Sequence, residues 1–189
     1  MEADRIKWDG RYGGDDYLFS LAPSKFLADC LELVCSLVTG RRALDIACGE
    51  GRNSIFLAQN GFLVDAVDIS PRGLERGKRR AAKLGVLVDF IAADLEEYRL
   101  REVYDLIIDF NFLLRPLLPS MVGSLAPGGV IVMETLLDAP NLQGVHTREF
   151  LLQPGELRQF FSAYAGRTLL YEEDLSQEAP VARVLFCKA

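Results

Sequence analysis

The sequence predicts an α/β fold: a seven-stranded, mostly parallel sheet with an antiparallel last strand, covered by helices in a three-layer sandwich. Three observations predict it. Apolar runs of strand length alternate with segments of helical spacing from residue 41 to residue 161. The first of these strands runs directly into a glycine turn and a helix start, Ala43-Leu-Asp-Ile-Ala-Cys-Gly-Glu-Gly-Arg-Asn-Ser54. The alternation then stops, because residues 167–171 and 181–187 read as two consecutive strands, which pair as an antiparallel hairpin.

The opening strand, residues 43–47, is apolar enough to be covered on both faces. Gly49 and Gly51 let the chain turn sharply and approach a ligand closely. Asn53 and Ser54 open a helix whose free N–H groups favour a carboxylate or another anion. Asp45, near the strand end, offers an acceptor to an ammonium group. Donors for a carboxylate beside an acceptor for an amine suit the amino-acid end of a cofactor. The helix ends near Asn60-Gly61, and residues 62–68 form the second strand.

Asp68 closes that strand twenty-one positions after Ala47, where an acid holds neighbouring ribose hydroxyls; Ile69 follows as an adenine contact. Ser70-Pro71 is a helix start, and the helix runs to Leu84 with Gly85 as its stop. Residues 87–93 are the third strand, ending at Asp94-Leu95. Residues 103–109 are the fourth, ending in Asp109 and followed by Phe110-Asn111-Phe112. A helix over 116–126 and the turn Pro127-Gly-Gly129 lead into a fifth strand at 130–136. Residues 138–153 read as irregular, and a helix follows from Pro154 to Phe161.

The first 21 residues hold the only Trp and two Tyr, Trp8, Tyr12 and Tyr17, and read as an ordered arm. The arm either packs on the domain surface or caps the cofactor. Pro23-Ser24 starts a helix that ends before Gly40.

Composition bounds the function. With 189 residues the chain is sized for one domain, 1–189, in which an arm and helix (1–40) precede a cofactor-binding core (41–189). Half of the residues are hydrophobic and a quarter charged, as in soluble globular proteins. A net charge of −6 argues against nucleic acid as a partner. The basic stretch from Arg76 to Lys83 reads as a solvated helix face. Cys30, Cys35, Cys48 and Cys187 lack metal-ligand spacing, so no metal is expected and a reduced, cytoplasmic setting is. No signal peptide and no membrane-length apolar run is visible.

The stretch Asp45-Ile-Ala-Cys-Gly-Glu-Gly51 resembles motif I of class I methyltransferases, Asp/Glu-x-Gly-x-Gly-x-Gly, with Ala47 at the first glycine. Trp8-Asp9, Arg11-Tyr12, Asp65-Ala-Val-Asp68 and Pro154-Gly-Glu-Leu157 add a resemblance to the small tellurite-resistance (TehB-like) enzymes. The resemblance implies a Rossmann-like fold and S-adenosylmethionine as cofactor. It implies cofactor contacts at Asp45, Ala47, Cys48, Gly49, Gly51, Asn53, Asp68, Ile69, Asp94, Leu95 and Asp109, and methyl transfer to a small-molecule substrate. It does not extend to the acceptor, because 174–180 is acidic and lacks the His that tellurite-type proteins carry there. Nor does Asp109-Phe-Asn-Phe112 match the Pro-Pro motif of base-amino methylation.

Methyl transfer is governed by alignment of acceptor and donor, and a general base helps where the acceptor carries a proton. The catalytic candidates are Asp109, His146 and Tyr12, with Arg11, Arg115 and Arg148 as weaker substrate contacts. Two alternatives share the glycine turn: a non-catalytic S-adenosylmethionine-binding module and an NAD-dependent oxidoreductase, since Gly49-x-Gly51-x-x-Ser54 nearly fits a dinucleotide fingerprint.

Overall fold

The protein is described by a computed structural model covering residues 2–100, 102–144, 147–176 and 178–189. Its helices are α1 (Glu2–Arg11), α2 (Lys25–Leu37), α3 (Arg52–Gln59), α4 (Pro71–Lys83), α5 (Leu118–Gly123) and α6 (Glu156–Ser162). Its strands are β1 (Arg42–Ile46), β2 (Leu63–Asp68), β3 (Asp89–Ala92), β4 (Tyr104–Phe110), β5 (Leu125–Leu136), β6 (Gly166–Asp174) and β7 (Val181–Lys188). They form one sheet in the order β3-β2-β1-β4-β5-β7-β6. Only β7 runs antiparallel, between β5 and β6, as the hairpin at the end of the sequence implied.

Side-chain alternation sorts the core into two layers. On one face Leu106 and Ile108 of β4 pack with Phe26, Leu27 and Leu57 of α2 and α3. On the other, Ile107 packs with Met121 of α5 and Phe161 of α6. Phe161 is 1% exposed and stacks on Phe186 of β7 with centroids 4.9 Å apart. Truncation there leaves a void that the sheet cannot fill. Phe161→Ala is expected to cost about 3–5 kcal/mol, checked by urea unfolding.

Three local readings are corrected. Residues 2–11, read as an arm, form helix α1, although none of its residues is buried. The helix over 116–126 is shorter: a 3₁₀ turn (Arg115–Leu117) precedes α5, which stops at Gly123. Strand β5 starts at Leu125, because Pro127-Gly-Gly129 is an irregularity within the strand and not a turn before it. Pairing skips from Tyr104↔Leu125 to Leu106↔Val130, and a Cβ at Gly129 would lie 2.9 Å from the Ala126 carbonyl oxygen.

The sheet order reverses between β1 and β4, and a crevice opens at the carboxyl ends of the strands where connections diverge in this way. The glycine turn after β1 and the loop after β4 both end there. Among the described residues no helix is long and apolar enough to cross a membrane.

Candidate active site

The crevice is a cavity of about 1070 Å³, with the strand ends and the N-terminal arm both in its wall. Ala47 has φ +51° and Gly49 φ +56°, so the chain enters the left-handed region directly after β1. Alanine at 47 tolerates this at a modest steric cost, which is why it stands in for glycine. Gly49 has a second constraint: a Cβ there would lie 2.6 Å from the Tyr12 hydroxyl.

Asp45 is 2% exposed and accepts a hydrogen bond from Ser54 Oγ at 2.5 Å. Burial pushes its carboxyl up to about 7, an effect that Ser54 opposes and the nearby Asp68 reinforces. Asp68 is also buried and shifted upward by desolvation; its Oδ2 accepts the Gly49 N–H at 2.8 Å and its Oδ1 the Ser70 N–H at 2.8 Å. It therefore pins the glycine turn to the start of α4, with a further backbone hydrogen bond from Ile69. Asn53 lines the cavity while its Oδ1 accepts the Ser24 N–H at 2.8 Å. Cys48 lines it too, with a thiol that burial holds neutral. Ile69, Asp94 and Leu95 complete the part of the wall beneath β2 and β3.

Two members of the expected set do not line the cavity: Gly51 and Asp109. Gly51 instead makes room for the Phe90 ring. Asp109 is 1% exposed, its Oδ1 has no hydrogen-bond partner among the described residues, and burial raises its carboxyl well above the usual range. Burial thus favours its neutral form, and its side chain lies outside the cavity wall. Tyr12 does line the cavity, stacked on Trp8 at 5.8 Å, with a phenol that burial pushes upward. His146 lies outside the described residues.

Arg115 is taken up by structure. Its guanidinium meets Glu156 at 2.6 and 2.9 Å and donates to the carbonyls of Glu149 and Leu151. This clamp closes the segment after β5 over α6, and it explains the acid of Pro154-Gly-Glu-Leu157. Glu173 contributes by accepting the Gly155 N–H at 2.5 Å. Arg11 lies 4.7 Å from the Trp8 ring, and Arg148 is exposed and outside the cavity wall.

Sequence reasoning missed Thr135, 2% exposed at the end of β5, and the wall of Phe112, Leu113, Leu136 and Phe150. The strand-end rule that found Asp68 also reaches Thr135. The basic stretch on α4 is corrected as well. Arg76 and Arg80, with Arg72 one turn earlier, reach the arm's backbone carbonyls, whereas Lys78 and Arg79 stay exposed. Their i, i+4, i+8 spacing was the available signal.

Residues 43–129 match the family profile described as a methyltransferase domain. This segment, which holds the glycine turn and the acids Asp45, Asp68 and Asp94, is where the chain is similar to methyltransferases. The chain is 30% identical over 139 residues to haemagglutinin 1 of Eikenella corrodens, covering 70% of this chain and 46% of that protein. It is 28% identical over 98 residues to a ubiquinone biosynthesis O-methyltransferase of Rickettsia felis, covering 49% and 40%. The chain thus spans less than half the length of these two relatives. Among solved structures, TehB from Haemophilus influenzae superposes with a TM-score of 0.72 at 19% identity, over 98% of this chain and 67% of that one. The N-methyltransferase NodS from Bradyrhizobium japonicum, in complex with S-adenosylhomocysteine, gives 0.72 at 19% over 97% of each chain. At that identity these likenesses show the Rossmann-like fold, shared over nearly the whole chain.

Proposed function

We propose that the domain is an S-adenosylmethionine-dependent methyltransferase acting on a small-molecule acceptor, in a cytoplasmic setting. The observation that carries this reading is Asp45: a buried carboxylate in the cavity wall whose hydrogen bonds, among the described residues, come from the hydroxyl and backbone N–H of Ser54, both neutral donors. An ammonium group supplies the missing positive charge. The rest of the wall fits the same ligand. The N–H groups at the start of α3 meet a carboxylate, the carboxylate of Asp68 in the wall meets ribose hydroxyls, and Ile69 and Leu95 offer apolar faces to a purine.

When bound, the cofactor supplies a methyl group on a sulfonium. The protein's own residues orient and exclude water. Phe112, Leu113, Leu136 and Phe150 make an apolar wall after β4 and β5, with Thr135 as a polar anchor. Such a wall favours an uncharged, apolar or aromatic acceptor. The relatives named for O-methylation and N-methylation support transfer to a small molecule.

Thermal unfolding tests this with S-adenosylhomocysteine and NAD in parallel. A ligand at 100 times its Kd adds ~2.7 kcal/mol, so the midpoint is expected to rise by roughly 3–8 °C with S-adenosylhomocysteine alone. A shift with NAD only overturns the proposal in favour of a dinucleotide enzyme. If the first shift appears but no acceptor in a broad panel is methylated, the site is a non-catalytic binding module.

A further inference from the structure

The N-terminal arm, residues 9–24, forms one wall of the cavity, and within it Tyr12 is the one buried hydrophobic side chain. No residue of α1 is buried, and the backbone hydrogen bonds recorded for residues 8–13 stay within the arm, Tyr12 to Trp8 and Gly13 to Gly10. Asp9 anchors its start by accepting from Ser70 Oγ at 2.6 Å, and beyond it side chains of the core grip the arm's backbone. Glu50, between the two glycines of the turn, is the centre of this grip. It is 7% exposed, and its Oε2 accepts the Leu18 N–H at 2.8 Å. Its Oε1 lies 2.6 Å from Arg76 Nε, a contact of charge without an aligned hydrogen bond. The same guanidinium donates to the carbonyls of Tyr12, Gly14 and Asp15 and lies 4.6 Å from the Tyr17 ring. One ion pair therefore ties the glycine turn, α4 and both halves of the arm together.

We propose that Glu50 and Arg76 are positioning residues that latch the arm over the glycine turn, so that this pair sets how long a ligand stays in the cavity. The physical ground is the contrast in local stability. The floor is central strands, which open only with the whole domain, whereas a segment held by a few side-chain contacts opens at much lower cost. A ligand between the two leaves by the weaker side. Residues 12–21 also carry Tyr12, Tyr17 and Phe19 into the wall, so release of the arm removes the aromatic part of the cavity.

The test uses S-adenosylhomocysteine as probe and so rests on the function proposed above. Its dissociation rate is measured by stopped flow for the wild type, Arg76→Gln, Glu50→Gln and the double variant. Amide hydrogen exchange over residues 12–21 reads the arm without ligand. Each single variant is expected to dissociate at least about tenfold faster, with faster exchange in 12–21 and unchanged exchange in β4. The double variant is expected to be no faster than the faster single one, because one contact is lost in either case. Arg76→Lys keeps the charge opposite Glu50 but not the fork toward the carbonyls, and is expected to recover part of the residence time. Leu157→Ala, in the core beneath α6, lowers stability without touching the arm and is expected to leave dissociation unchanged.

The latch is overturned if exchange in 12–21 rises while dissociation stays within twofold of wild type. It is equally overturned if Leu157→Ala speeds release as much as Arg76→Gln. A wild-type protein that binds no S-adenosylhomocysteine overturns the function instead. The exchange measurement then decides the latch alone, which fails if Arg76→Gln exchanges as the wild type does.

Discussion

Asp45→Asn is expected to lose S-adenosylhomocysteine binding by at least about 100-fold while making the unliganded protein more stable at pH 8. Both effects follow from one buried charge. Burial pushes the Asp45 carboxyl up to about 7, and among the described residues its hydrogen bonds come from Ser54. In the unfolded chain an aspartate titrates near 4, so the folded state favours the protonated form. An acid with a raised folded pKa contributes stability that is full below about pH 4 and lost as pH rises to about 7. Above that, the native protein carries the cost of an ionised, unpaired carboxylate. A shift of about three units sets a ceiling of ~4 kcal/mol, and with partial relaxation we expect a gain of about 1–3 kcal/mol from Asn. Asparagine keeps the shape and can still pair with Ser54, but it cannot neutralise an ammonium group.

The same linkage sets the pH dependence of binding in the wild type. An ammonium ligand requires ionised Asp45, so affinity is expected to tighten about tenfold per pH unit between 5.5 and 7 and then level off. Isothermal titration across that range reads the slope, and urea unfolding at pH 5 and 8 reads the stability term. Asp45→Asn that binds as the wild type does would remove the carrying observation for the cofactor.

Gly51→Ala is expected to destabilise the domain by about 2–4 kcal/mol and to weaken ligand binding with it. Gly51 has φ +73°, where an L side chain costs about 1 kcal/mol. Its added Cβ would also lie 2.7 and 2.8 Å from the Phe90 ring, and overpacking of this kind costs about 1–3 kcal/mol. The ring cannot retreat, because a Cβ at Gly77 of α4 would meet the same two ring atoms at the same distances. Phe90 is thus clasped between two glycines, one at the start of α3 and one on α4, and this slot sets how closely the cofactor-facing turn approaches β3.

Gly77→Ala gains about 1 kcal/mol of helix propensity and loses more to the clash, a net cost of about 1–2 kcal/mol. The two substitutions share a neighbour, so their sum should overstate the double variant. Phe90→Leu is expected to restore part of the loss in either. Chemical unfolding of the five variants measures this. Equal losses in the Phe90→Leu background would mean that the backbone angle, and not the ring, is the cause.

How much was legible in the residues depended on the range of the interaction. The strand–turn–helix at 43–54, the acid at Asp68 and the antiparallel finish rest on local patterns: apolar runs, glycines where φ turns positive, a cap before a proline. Those patterns act over a few residues, so sequence alone determines them, and with them the fold and the crevice at the strand ends. Asp109 shows where this stops. Strand position placed it at the crevice, but side-chain alternation turned it beneath the floor, with Ile46 and Met133 beside it in register.

The arm shows the same limit from the other side. Its amino acids say that Trp8, Tyr12 and Tyr17 pack on something, yet what grips the backbone from Tyr12 to Leu21 is Glu50, Arg76 and Arg80, up to 64 residues away. Whether an arginine is solvated or gripping a carbonyl is decided by which backbone the fold brings within 3 Å. Composition and period carry no term for that distance, so the basic helix face and the clamp of Arg115 on Glu156 became visible only in the folded chain. The sequence determined a cofactor-sized crevice lined by acids; the tertiary structure decided which of those acids face it and what closes it.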